Sequence, residues 1–86
     1  MARSLTLHRA TVPLRDKRQY MEQLRVRRSH YLANGCNFWV FEEAGLHGAF
    51  LEFTEAPDEK TLRAAHLALT DRVGDTARIY TEVELS

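Results

Sequence analysis

Four histidines, His8, His30, His47 and His66, are the first candidates for chemistry in this 86-residue chain. No two have the His-x-x-x-His spacing of a helical metal site or the His-x-His spacing of a strand site, so no metal is expected. His47 falls among turn residues and reads as solvated. His30 lies off the apolar arc of a helix and reads as surface. His8 sits in an alternating segment beside Thr6, Ala10 and Val12. If Leu5, Leu7, Leu51 and Phe53 face the helices, the opposite sheet surface collects His8, Phe50, Glu52 and Thr54, joined by Tyr80, Glu82 and Glu84 from the last strand. An imidazole between a carboxylate and a phenol can act as a general base, with Glu52 fixing its tautomer. The same groups would also serve as interface hydrogen bonds or as a solvated surface. His66 borders the apolar face of a second helix, where it is either a base or a packed ring. Arg28 falls within the apolar arc of the first helix. A guanidinium there must snorkel, pair with a glutamate or meet an anionic ligand. Cys36, the single cysteine, reads as a buried thiol and permits no intrachain disulfide.

Six elements must position these groups. Residues 5–12 alternate as a strand, and Pro13, which cannot donate to a ladder, ends it. Residues 14–33 change to helical period, with Tyr20, Met21, Leu24, Tyr31 and Leu32 inside one arc of about 120°. Asn34 and Gly35 tolerate the left-handed backbone that closes a helix. Residues 36–43 form an aromatic, β-branched strand. A two-glycine turn leads to a strand over residues 49–55, a hairpin connection. Pro57, Asp58 and Glu59 open a helix, since acids suit the positive end of its dipole. Leu62, Ala65, His66, Leu69 and Val73 give it an apolar face, and Gly74 stops it. Residues 77–85 alternate as a last strand.

The order β-α-β-β-α-β, with right-handed crossovers, gives an α+β ferredoxin-like domain spanning residues 1–86. Its four-stranded antiparallel sheet carries both helices on one face, with the first and third strands central. The second strand is apolar on both sides, with Phe38 and Val40 on one and Trp39 and Phe41 on the other. A strand with one wet face should instead alternate with polar residues. A second copy packed sheet to sheet through a two-fold axis would cover the bare side.

The element order, the first helix closed by Asn34-Gly35, the strand Asn37-Phe38-Trp39-Val40-Phe41 and the hairpin into Gly48-Ala49-Phe50-Leu51-Glu52-Phe53 resemble the dimeric α+β barrel superfamily. The closest resemblance is to its small antibiotic-biosynthesis-monooxygenase domains. That likeness implies a homodimer with facing sheets and a pocket between each sheet and its helices. It also implies a cofactor-independent, monooxygenase-like activity on a small aromatic substrate. Trp39, Phe41, Phe50, Tyr20, Tyr31 and Tyr80 would line the site, Arg28 would meet an anionic group, and His8 or His66 would be the base with Glu52 beside it. The haem-degrading branch uses a helical His with an Asn on the first strand and a Trp on the third. His66 matches the first element only, so haem is not expected. A non-catalytic ligand-binding or regulatory module and a purely structural dimer are the competing readings.

Composition narrows the field further. Twelve Lys and Arg balance twelve Asp and Glu, so no net field favours a polyanion. Residues 1–43 are net +4 and residues 44–86 net −4. The arginines are spread around the first helix without aromatic stacking residues, so nucleic acid is not an expected partner. Apolar runs fall far short of the roughly 18 residues of a membrane span. The start Met-Ala-Arg-Ser-Leu shows no apolar leader, and one cysteine suits a reducing compartment, so a cytoplasmic location is expected. No Gly-rich loop precedes a helix to cradle a nucleotide phosphate, so no cofactor is expected.

Overall fold

The computed structural model describes residues 2–69 and 78–85. Strand β1 (Ser4–Thr11) is followed by a 3-10 turn (Leu14–Asp16) and helix α1 (Lys17–Ala33). Strands β2 (Asn37–Glu42) and β3 (Ala49–Ala56), helix α2 (Glu59–Ala68) and strand β4 (Tyr80–Thr81) complete the order. The sheet runs β2-β3-β1-β4, all antiparallel. This is the ferredoxin-like arrangement expected from the element order, with β1 and β3 central.

Local chemistry sets the element ends. Gly35 takes φ +79° after α1, and the Cys36 amide donates to the Tyr31 carbonyl at 2.9 Å. Gly48 takes φ +90°, and its carbonyl accepts from the Val12 amide at 2.8 Å. A Cβ at Gly48 would stand 2.5 Å from the Val12 carbonyl oxygen, so both sterics and backbone conformation require glycine there. Asp58 caps α2, its carboxylate accepting from the Thr61 amide at 2.7 Å. That bond holds the Asp58 carboxyl below the usual carboxylate range.

Two extents differ from the sequence reading. Helix α2 ends at Ala68, with Leu69 in extended backbone, whereas periodicity carries the helix to Val73. Val73 and its stop at Gly74 lie outside the described residues. Strand β4 covers two residues within the expected 77–85. Its partner β1 begins at Ser4, which pairs with Thr81, so the residues that follow run past the end of the ladder. The last backbone link there is the Glu82 amide to the Arg3 carbonyl, at 2.8 Å.

The helices cover the side of the sheet that bears Ser4, Thr6, Phe38, Phe50, Glu52, Thr54 and Ala56, all buried. Tyr20, Leu24, Tyr31, Leu62, Ala65 and Leu69 close over them. This reverses the expected facing. Leu5, Leu7, Leu51 and Phe53 lie on the open side, in register with Trp39 and Phe41. The buried face of helix α1 is also turned from the expected arc by about 50°, half a residue. Its buried positions are Tyr20, Leu24, Arg27 and Tyr31, while Met21 and Leu32 are exposed.

Candidate functional site

Between the helices and the sheet runs a seam of buried polar side chains in two clusters. In the first, Glu52 projects from the centre of β3 and is 4% exposed. Its carboxylate accepts from the Tyr20 hydroxyl at 2.8 Å and from Arg27 Nη1 at 3.0 and 3.2 Å. Tyr20 and Arg27 are two helical turns apart, so one face of α1 delivers both groups to the same carboxylate. Burying an ion pair is costly unless its remaining hydrogen-bonding capacity is also used, and Tyr20 supplies part of that. Burial, and then the hydrogen bond to Glu52, pushes the Tyr20 hydroxyl well above the ordinary phenol range. The Tyr20 ring packs on Phe50 with centroids 4.9 Å apart.

In the second cluster His66 of α2 spans from the sheet to α1. Its Nε2 lies 2.7 Å from Thr6 Oγ1 on β1, and its Nδ1 lies 2.8 Å from the Tyr31 hydroxyl on α1. A hydroxyl can donate or accept, so either neutral tautomer satisfies both bonds. Burial, and then the neighbouring His30, holds the imidazole below its ordinary range. Burial also pushes Tyr31 up to about 12. The Tyr31 ring stacks on Phe38 at 5.4 Å. His30 Nε2 donates to the Ala65 carbonyl at 2.8 Å, tying α1 to α2. The row Thr6, His66, Tyr31 is a hydrogen-bonded path along which one proton can be redistributed.

The expected site residues therefore separate. His8 stands directly across from Glu52, as the shared face required, but on the helix side of the sheet. A His8–Glu52 general base therefore does not form on the open face. His8 is half-buried, and the Glu52 carboxylate instead accepts from Tyr20 and Arg27. Phe50, expected with them on the open face, is buried under α1. Tyr80 pairs with Leu5 and so lies on the opposite face from His8. Arg28 is exposed, and its neighbour Arg27 takes the buried position. His30 is half-buried and bonded to α2 where a surface position was expected. His47 is exposed and Cys36 is buried, as expected, and burial raises the thiol above its usual range.

Sequence reasoning missed Arg27 and Thr6. The spacing Tyr20, Leu24, Arg27, Tyr31 is a regular helical stripe, and Glu52 between Leu51 and Phe53 was a signal that a carboxylate needs a cation. Counting only apolar residues drew the arc through Met21 and Leu32 instead. Among the described residues no three His, Cys, Asp or Glu side chains gather to hold a metal.

The open face carries Leu5, Leu7, Trp39, Phe41, Phe53 and Tyr80. Trp39 is 46% exposed, Phe41 58% and Tyr80 50%. Phe41 and Phe53 meet edge to face at 5.6 Å. A groove of about 340 Å³ on this side is lined by Leu5, Trp39, Tyr80 and Thr81 with Arg3, Glu55 and Glu82. Its polar rim is organised. Arg3 binds Glu82 through Nε and Nη2 at 3.0 and 2.6 Å and Glu55 through Nη1 at 2.8 Å, while Asn37 donates to Glu55 at 2.8 Å. Comparison with protein-family models, with curated proteins and with solved structures gives no match.

Proposed function

We propose that this chain is a homodimeric ligand-binding module of the dimeric α+β barrel kind, two copies closing their open sheet faces over a small aromatic molecule. The observation that carries this reading is an apolar surface on which Trp39, Phe41 and Tyr80 are exposed and Leu5, Leu7, Leu51 and Phe53 are half-buried. It is continuous across four strands, and an apolar patch of this kind marks an interaction surface. The groove of about 340 Å³ beside Trp39 and Tyr80 falls within the usual size range of small-ligand sites. Its aromatic walls would hold a ring, and its Arg3-centred rim would orient polar substituents. A reducing, cytoplasmic location fits the lone buried thiol.

Light scattering at micromolar concentration should give twice the chain mass. Trp39→Asp combined with Phe41→Asp should give a monomer that keeps its circular dichroism, because unpaired charge cannot be buried between the sheets. A monomeric wild type would sink the reading. Trp39, the single tryptophan, should report 2-naphthol as a saturable fluorescence change in the dimer only.

A further inference from the structure

The free edge of β2 is a second surface, distinct from the open face of the sheet. In an antiparallel ladder, residues alternate between those bonded to the neighbouring strand and those whose backbone groups point away. The Glu43 amide bonds the Ala49 carbonyl at 2.9 Å, which sets the phase. Residues 37, 39 and 41 therefore bond to β3, and the N–H and C=O groups of Phe38, Val40 and Glu42 point outward from the edge. Protected edges carry lysine, proline or a bulge. Strand β2, Asn-Phe-Trp-Val-Phe-Glu, has neither lysine nor proline and pairs with β3 without a bulge over its whole length.

A groove of about 440 Å³ lies along this edge. Phe38, Trp39 and Val40 form its strand wall, and Met21, Leu24, Arg25 and Arg28 of α1 form its helix wall. Arg25 is held by Glu22 at 2.8 Å, whereas Arg28 has no ion-pair partner among the described residues. A strand of donors and acceptors facing a helix with apolar and cationic side chains has the parts needed for strand addition, in which backbone bonds supply affinity and side-chain pockets supply specificity.

We propose that the β2 edge binds an extended peptide segment of a partner protein, added as a fifth strand, with alternate apolar side chains against Met21 and Leu24 and an acidic side chain at Arg28. Charge selects this occupant over a second copy. Two-fold pairing of β2 with itself would set the α1 helices of both copies side by side, each carrying its uncompensated Arg28, and like charges across an interface disfavour it. This proposal does not depend on closure of the sheet faces.

The test pans a random heptapeptide display library against the full chain. Recovered peptides should alternate apolar residues and carry Asp or Glu. N-methylation of the amides in one alternate register should abolish binding, and methylation in the other register should leave it unchanged. Arg28→Glu, a surface change, should weaken binding about tenfold. Replacing the peptide's acid by Lys should restore it in that variant. No enrichment, indifference to methylation or unchanged affinity in Arg28→Glu would overturn the proposal. Val40→Pro removes an outward amide and no ladder bond to β3, so it should lose peptide binding and keep the oligomeric state of the wild type. If instead it converts dimers to monomers, the edge belongs to a second copy and the peptide reading falls.

Discussion

Leu7 and Thr6 are adjacent on β1 and meet opposite fates. Thr6 lies under the helices with Glu52, Thr54 and His66, all buried, and Leu7 lies on the open face with Phe53, Trp39 and Phe41. In the single chain one side of the sheet thus buries polar groups while the other exposes apolar ones. Burial alone does not separate a stable interior from an interaction surface. The buried side is stabilised because its charged and titratable side chains have partners of fixed geometry: a carboxylate against a guanidinium and a phenol, and an imidazole between two hydroxyls. On the open side hydrophobic stabilisation is only partly gained within the single chain; in the proposed dimer a second copy would supply the rest.

This contrast is tested most sharply at Glu52. Glu52→Ala leaves Arg27 in the interior without the carboxylate it binds, and breaking a buried pair in this way should cost about 3–5 kcal/mol. Chemical denaturation of monomeric Trp39→Asp, Phe41→Asp protein isolates the intrachain effect. A loss as small as that of an exposed pair would show that the seam is wet and that the two sides differ less than their polarity suggests.

A smaller effect is expected from His66. Its folded-state imidazole is held below the ordinary value of 6.5, so below that pH the unfolded chain binds more protons than the folded one. Its contribution is fully present above about pH 6.5 and is lost as pH falls toward the folded value. The slope of stability against pH just below 6.5 should flatten in His66→Gln. An unchanged slope would mean that other groups dominate acid sensitivity.

The smallest effect belongs to the open face. Phe41→Ser, measured in a monomeric Trp39→Asp background that retains Phe41, should change stability by no more than about 0.5 kcal/mol, since the side chain is already 58% exposed. A loss above 2 kcal/mol would show that the Phe41 and Phe53 contact supports the fold of the single chain.

The element order was legible because each signal is local. Alternation over β1, the glycine after α1, the aromatic run of β2 and the acidic start of α2 act within a few residues, and they brought the topology with them. The pairing of His8 with Glu52 on one face was legible for the same reason, since strand period two and hairpin register fix which residues share a side. Which side the helices would cover was not. Both faces of β2 are apolar, and β1 and β3 carry leucines and phenylalanine on what proved to be the open side, so polarity pointed the wrong way. An apolar residue meant for an interface and one meant for a core have the same transfer free energy.

Among the site residues, the histidine on α2, the glutamate in β3 and the tyrosines of α1 stood out by type, and sequence alone named them. Their partners required the fold. Arg27 rather than Arg28 is buried because α1 is set by where Tyr20 and Tyr31 meet Glu52 and His66, a rotation that helical periodicity cannot resolve to one residue. Thr6 became a histidine partner only when α2 was laid across β1. Period and turn chemistry specify what each segment is, whereas the facing of the sheet and the phase of its covering helix depend on contacts between groups far apart in the chain, which no local pattern encodes.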